Sequence, residues 1–151
     1  MRRAFVMCAL LWVLAAGARA QQVCPWLTEG TAATLLGGSV TTEVHTVSAG
    51  EGSCVFTRAV ERDALVLRSE VGKVAAAECI TGEGARGIGD EAWRCAMDVG
   101  GEHREVIRGR VRATKFLLIL TTRGGGAKLL SKDEQRSVVE QVGEEITGNL
   151  F

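Results

Sequence analysis

The sequence predicts an α+β domain: an antiparallel sheet of about six strands, helices packed mainly on one face of the sheet, and two disulfides. In the stretch Ala113–Arg123 the central residues are all apolar, so neither face of a strand formed there would be polar. This pattern is typical of a central strand covered on both faces. Clear helix-start signals follow it at Ser131, and alternating polar and apolar residues earlier in the chain indicate further strands. The expected order of elements is αβββαβββα.

The N-terminus has the pattern of a secretory signal peptide. A basic head, Met1–Arg3, precedes the apolar run Ala4–Gly17, and Ala18–Ala20 places small residues at a cleavage site. We therefore expect residues 1–20 to be a signal peptide and residues 21–151 to be a single secreted α+β domain. The apolar run is shorter than the ~20 residues of a membrane-spanning helix. The sequence thus predicts a periplasmic or secreted protein with no stable membrane span after cleavage.

Removal of the signal peptide changes the net charge. The whole sequence has 18 basic and 18 acidic residues, and the signal peptide contains Arg2, Arg3 and Arg19. The exported chain would therefore have 18 − 3 = 15 basic and 18 acidic residues, a formal charge of −3. A mildly acidic domain has no overall attraction for nucleic acid or for an anionic membrane, so neither is an expected partner.

Four cysteines remain after the signal peptide: Cys24, Cys54, Cys79 and Cys95. An even number in an exported chain predicts two disulfides, for which three pairings are possible. The sequential pairing, Cys24–Cys54 and Cys79–Cys95, is favoured because it ties each helical segment to a nearby strand. A four-cysteine zinc site is the alternative, but no Cys-x-x-Cys pair is present and an oxidising compartment favours disulfides. No metal site is expected.

The first half of the exported chain predicts one helix, three strands and a short second helix. The first helix runs from Thr28, a capping residue, to Leu36, where two glycines follow. Alternation predicts strands over Val40–Val47, from Cys54 onward, and along Leu65–Val71. The alanine-rich stretch Lys73–Cys79 predicts the short helix.

The second half predicts three strands and a long helix. Alternation predicts strands over Trp93–Val99 and Arg104–Val111, and a tight turn at Arg112–Ala113 leads into the central strand. Ser131 and Glu134 form a capping-box pattern at the start of the last helix. Five apolar residues then recur at helical spacing: Val138, Val139, Val142, Ile146 and Leu150. This stripe predicts a helix with one face on the sheet.

The stretch Gly82–Gly87 matches the glycine pattern of dinucleotide-binding proteins. That pattern works only where a strand precedes the glycines and a helix follows, so that phosphate meets a helix N-terminus. Here a predicted helix precedes and a predicted strand follows. The match is interpreted as accidental, the segment as a flexible loop, and no cofactor is expected.

Four arginines recur along one predicted strand and its end: Arg104, Arg108, Arg110 and Arg112. Because alternate residues of a strand point to one face, these side chains form a candidate binding site for carboxylate or phosphate. Arg94 or Lys115 can extend the patch from neighbouring strands. The alternative, which ordinary cross-strand pairing favours, is a solvated face neutralised by three acidic residues. These are Asp98, Glu102 and Glu105.

The sequence offers no convincing catalytic centre. His45 and His103, the two histidines, are expected at the surface because their spacing suggests no metal site. Oxidised cysteines leave no thiol nucleophile, and the serines lack the context of a catalytic triad. We expect the protein not to be an enzyme. The aromatic residues Trp26, Phe56, Trp93 and Phe116 are expected in the core.

Several short segments carry a resemblance: Cys24–Thr28, Leu35–Gly37, Gly52–Phe56 and Gly87–Ala92. Together with the signal peptide they resemble a loose group of exported bacterial domains of unknown function. Many of those domains are lipoproteins or sensor-like, and some are PsbP-like in fold. This chain departs from them in lacking a lipobox. The resemblance implies a binding or accessory role outside the cytoplasm and supplies no catalytic residues.

These observations predict a non-catalytic exported binding or accessory domain. Its partner is unknown and would be an envelope protein or a small anionic ligand. It would bind through the sheet face around Arg108 and Arg110 or through the loop Gly82–Gly89. The alternatives are a structural, envelope-associated protein without a small ligand, and a small exported hydrolase.

Overall fold

The computed structural model describes residues 23–48, 50–74, 79, 81–124 and 129–150. The described residues form two helices and one seven-stranded antiparallel sheet, which confirms the α+β class. The elements are α1 (Glu29–Leu36), β1 (Thr41–Ser48), β2 (Glu51–Val60), β3 (Asp63–Val71), β4 (Glu83–Gly84), β5 (Glu91–Val99), β6 (Glu102–Val111), β7 (Thr114–Arg123) and α2 (Lys132–Asn149). The predicted signal peptide lies outside the described residues.

The predicted strand count and element order were wrong because of one short strand. β4 has two residues, Glu83 and Gly84, which pair with Arg94 and Trp93 of β5. A glutamate and a glycine carry no alternation from which a strand could be predicted. Their pairing depends on the fold, since the Cys79–Cys95 disulfide holds the chain beside β5. Of the short helix predicted over 73–79, Lys73, Val74 and Cys79 are not helical, and residues 75–78 lie outside the described residues.

β7 is the middle strand of the sheet, as predicted from its apolar centre. The spatial order is β1-β2-β3-β7-β6-β5-β4, so three strands lie on each side of β7. The seven residues Phe116–Thr122 are all buried. Two antiparallel meanders, β1–β3 and β5–β7, meet where β3 pairs with β7. The helices cover one face of the apolar run, and the segment at Val74 and Cys79 packs on Leu117 and Ile119 on the other.

Both helices contribute to the core on one face of the sheet, here called the helix face. Phe116, Leu118 and Leu120 of β7 share a buried cluster with Leu36 of α1 and with the predicted stripe of α2. The stripe residues Val138, Val139, Val142 and Ile146 are buried, and Leu150 is partly buried. None of the helices that the structure describes is long and apolar enough to cross a membrane.

The other face of the sheet, here called the open face, carries a smaller buried cluster. It consists of Cys79, Val106, Leu117 and Ile119, with Val74 packed against it. The alternation along β7 explains both clusters, because even-numbered residues point to the helix face and odd-numbered residues to the open face. Within the described ranges, no helix covers the open face.

The predicted helix caps and the predicted turn at Arg112–Ala113 are confirmed. The Thr28 side chain caps α1, Gly37 ends it with φ 75°, and Ser131 forms a reciprocal capping box with Glu134 at α2. Two-residue turns join β2 to β3 and β6 to β7, with left-handed φ of 56° at Glu61 and 53° at Arg112.

The predicted cysteine pairing is also confirmed. Cys24 pairs with Cys54 and Cys79 with Cys95, each with a Cα–Cα distance of 6.0 Å. The first disulfide ties the segment before α1 to β2, and the second ties the segment after β3 to β5. Two pairs at disulfide distance suggest an oxidising environment, as exported proteins encounter.

Candidate binding face

Three of the four predicted arginines share the open face. In the register of β6 with β7, Arg104 lies opposite Thr121, Arg108 opposite Leu117, and Arg110 opposite Lys115. These partners are odd-numbered residues of β7, so all three arginines point away from the helices. The open side of β5, β6 and β7 is here called the arginine face.

Arg112 does not belong to the arginine face, so its inclusion in the stripe was wrong. β6 ends at Val111, and Arg112 is the first residue of the tight turn, in left-handed conformation. Its backbone N–H donates to Asp90 Oδ2 at 2.5 Å, and its carbonyl oxygen accepts from Arg110 Nη1 at 2.6 Å. The strand alternation from which its position was predicted stops one residue earlier.

Three acidic residues were predicted to neutralise the arginines, and of these only Glu102 forms an ion pair with one of them. Glu102 lies 3.5 Å from Arg104 and 3.3 Å from Arg123. Asp98 and Glu105 point to the helix face, because they are offset by one residue from the positions that face the arginines. Arg110 instead pairs with Glu91 at 3.3 Å.

Arg108 differs from Arg104 and Arg110 in its contact with an aromatic ring and in having no ion pair among the described residues. Its guanidinium carbon lies 5.5 Å from the centroid of the Trp93 ring, directly across from it on β5. Its Nε is buried and has no hydrogen-bond partner in the part of the chain that the structure describes. No carboxylate of the described residues forms an ion pair with it.

Trp93 was expected in the core but is 38% exposed. Its register position explains the difference. It points to the open face near the edge of the sheet, where its outer neighbour on β4 is Gly84, which has no side chain to cover the ring. The other three predicted core aromatics, Trp26, Phe56 and Phe116, are buried on the helix face.

The arginine face has a net positive charge. Lys115 extends it as predicted, whereas Arg94 points to the helix face and pairs there with Glu83 at 3.0 Å and with Glu140. The basic residues of the face are Arg104, Arg108, Arg110, Lys115 and Arg123, and the acidic residues are Glu91 and Glu102. Five minus two gives +3, opposite in sign to the −3 expected for the exported chain as a whole.

His103 was expected at the surface but is 8% exposed, on the helix face. Its Nδ1 lies 2.8 Å from Asp98 Oδ1, and its Nε2 lies 3.0 Å from Oε1 of Glu105. The hydrogen bond to His103, with Lys132 3.6 Å away, holds the pKa of Asp98 below its ordinary value. The cluster joins the β5–β6 hairpin to the start of α2. Since each imidazole nitrogen faces a carboxylate oxygen, a protonated His103 donates to both.

A second set of polar side chains lines the open face at the other end of the sheet. His45, Ser53 and Glu70 lie side by side on β1, β2 and β3, at one end of an open cavity of about 520 Å³. Glu70 pairs with Arg68, and His45 is exposed as predicted. The described residues include no group of histidine, cysteine, aspartate and glutamate side chains that could hold a metal ion.

The segment Gly82–Gly89, predicted to be a flexible loop, forms a short strand and packs against α2. Glu83 and Gly84 form β4, and Ile88 is buried against α2 at Gly143. A Cβ on Gly143 would lie 3.0 Å from Ile88 Cγ2, so the absence of a side chain lets the loop approach the helix. A strand follows the glycines, as predicted, and the geometry of a dinucleotide site is not formed there.

Comparisons with protein-family models, with curated proteins and with solved structures found no match. The resemblance to exported bacterial domains of unknown function therefore stays a prediction.

Proposed function

We propose that this chain is a non-catalytic exported binding or accessory domain, and that an anionic group of its partner contacts the arginine face. One observation carries the proposal. Arg108 is stacked on the exposed ring of Trp93, has a buried Nε without a hydrogen-bond partner, and has no ion pair among the described residues.

The chemistry of this pair suits recognition of a carboxylate or phosphate. A guanidinium is planar by resonance, and contact with an aromatic ring restrains its orientation while its N–H groups can donate two parallel hydrogen bonds to an anion. The ring holds the side chain before the partner arrives, so less rotamer entropy is lost on binding. Exposed tryptophan and arginine are also the residues that contribute most often to protein interfaces.

The flanking charges support the same location. Arg104 and Arg110 are paired with Glu102 and Glu91, so their charges are partly balanced within the face. Arg108 lies between them on β6, and no ion pair balances its charge in the described part of the protein. An anionic group placed over Trp93 would therefore be drawn to the centre of the face.

We further propose that the protein acts in the periplasm or outside the cell after removal of residues 1–20. The cysteine pairs at disulfide distance support an oxidising compartment. A structural, envelope-associated role is the second candidate. The ion pairs at Arg104 and Arg110 favour it, because paired arginines are ordinary on a solvated sheet face.

Trp93 itself can report binding in solution. After removal of the signal peptide the chain has two tryptophans, and Trp26 is 1% exposed, so iodide should quench mainly the fluorescence of Trp93. We expect a short polyglutamate peptide to protect Trp93 from iodide in a salt-dependent manner, and we expect Arg108→Gln to lose that protection. Arg136→Gln, on the exposed side of α2, is the matched control. Equal protection in both variants would contradict the proposal.

A further inference from the structure

The strand β1 forms an open edge of the sheet. In the structure as described it pairs with β2 on one side only, whereas the opposite edge of the sheet is formed by the two-residue strand β4. β1 has eight residues, and its register is regular from Thr41 to Thr46. Its outer side therefore offers a row of backbone N–H and C=O groups.

The side chains of β1 do little to prevent pairing with another strand. Edge strands are usually protected by lysine, proline, bulges or a covering element. β1 contains no proline or lysine. The one shift in its register with β2 lies at its end, between Thr46 and Ser48. Glu43 and His45 are its ionisable residues, and both are exposed on the open face.

The side-chain pattern of β1 is complementary to itself. Two antiparallel copies of an edge strand are related by a two-fold axis perpendicular to the sheet. The axis passes midway between the two copies of one residue, and side chains that lie opposite each other share a face. With the axis at Val44, each Glu43 lies opposite the partner's His45, and each Thr42 lies opposite the partner's Thr46. Val44 then lies opposite its own copy.

The neighbouring registers are less favourable. An axis at Glu43 would place two carboxylates directly opposite each other, and an axis at His45 would do the same with two imidazoles. Two carboxylates in direct opposition repel each other, and paired imidazoles leave each Glu43 without a donor opposite it. An imidazole N–H opposite a carboxylate, threonine pairs and β-branched pairs instead stabilise a strand pair. Of these three registers, only the one centred on Val44 pairs Glu43 with a histidine.

We propose that β1 is a self-association strand, through which two copies of this chain join edge to edge in the register centred on Val44. The two sheets would form one continuous antiparallel sheet, with both helix faces on the same side. Because the pairing involves few residues, the contact falls below the ~1,200 Å² of a standard interface, and the dimer is expected to be weak and reversible. This inference is independent of the proposed function of the arginine face.

A charge swap tests both the dimer and its register. Sedimentation equilibrium of the oxidised exported protein should show a concentration-dependent dimer. Glu43→Lys or His45→Glu alone should weaken the dimer about tenfold or more, because the two-fold axis repeats each unfavourable pair. Combining the two substitutions places an ammonium group opposite a carboxylate in both pairs and should restore the dimer. Glu144→Lys, on the exposed side of α2, is the matched control and should leave it unchanged.

Thermal melting of each variant separates loss of the dimer from loss of the fold, since Glu43 and His45 are exposed. A parent protein that stays monomeric at millimolar concentration would overturn the proposal. A dimer that both single substitutions leave intact would also overturn it, and so would a double variant that is weaker than either single variant.

Discussion

The guanidinium carbon of Arg108 lies 5.5 Å from the centroid of the Trp93 ring, and the two residues face each other across β5 and β6. On a positively charged sheet face, this contact brings an exposed aromatic ring together with a cation that has no ion pair among the described residues. The sheet register produces the pair, because Trp93 and Arg108 both fall on the side away from the helices. It is therefore the feature from which we infer a binding role.

The disulfides should be present in the exported protein and should contribute to its stability. The unreduced mass should be lower than the reduced mass by about four hydrogens, as two bridges require. Cys24→Ser/Cys54→Ser should lower the free energy of unfolding in urea by about 3–4 kcal/mol, because that bridge closes a 30-residue separation. A full complement of free thiols in the exported protein would contradict the predicted compartment.

The buried pair His103–Glu105 should be coupled energetically. The substitution His103→Leu removes the hydrogen-bond partner of the Glu105 carboxylate, and Glu105 is only 3% exposed. It should lower the free energy of unfolding in urea by about 3–5 kcal/mol. His103→Leu/Glu105→Leu removes both partners and should recover most of that loss, because an apolar replacement of a buried pair is often neutral. A loss in the double variant equal to the sum of the losses in His103→Leu and Glu105→Leu would show that the two side chains do not interact.

Acid should destabilise the fold through two carboxylates near the start of α2. The hydrogen bond to His103 lowers the pKa of Asp98, and the Ser131 backbone N–H lowers the pKa of Glu134. Because both values are depressed in the folded state, the stabilisation is present above their ordinary values of about 4 and is lost as the pH falls through the folded values.

The variants Asp98→Asn and Glu134→Gln should therefore reduce the pH dependence of the melting temperature below about pH 4. Glu145→Gln, on the same helix, is the control because it should leave the slope unchanged. Identical slopes in the parent and in both test variants would refute the assignment of the acid-sensitive groups.

Gly109 should tolerate no side chain. A Cβ at this position would lie 2.6 Å from the Glu91 carbonyl oxygen and would overlap the Phe116 ring. Gly109→Ala should lower the free energy of unfolding by about 1–3 kcal/mol, because a strand must move to relieve the clash. Gly84→Ala is the matched control, since no atom lies within 4 Å of its Cβ position. A silent Gly109→Ala would show that Phe116 does not pack over this residue.

The features that could be predicted from sequence depend on local chemistry. The capping box at Ser131, the left-handed glycine that ends α1 and the apolar centre of β7 each follow from a few neighbouring residues. The cysteine pairing was also predictable, because each bridge joins segments that are close in sequence order.

The features that were missed depend on strand register. Alternation shows that two residues share a face but not which face is covered, so Trp93 was assigned to the core and His103 to the surface. The same ambiguity placed Asp98 and Glu105 beside the arginines, when both are bonded to His103 on the helix face. A cross-strand contact such as that between Arg108 and Trp93 has no signal in a single sequence.

The most direct test of the binding proposal is affinity capture from an envelope extract with three oxidised proteins: the parent, Arg108→Glu and Arg136→Glu. All three should melt at similar temperatures, because neither arginine has an ion pair among the described residues. The proposal predicts a partner that the parent and Arg136→Glu retain and that Arg108→Glu loses. A partner retained equally by all three proteins would contradict binding at the arginine face, and retention of no partner would favour the structural role.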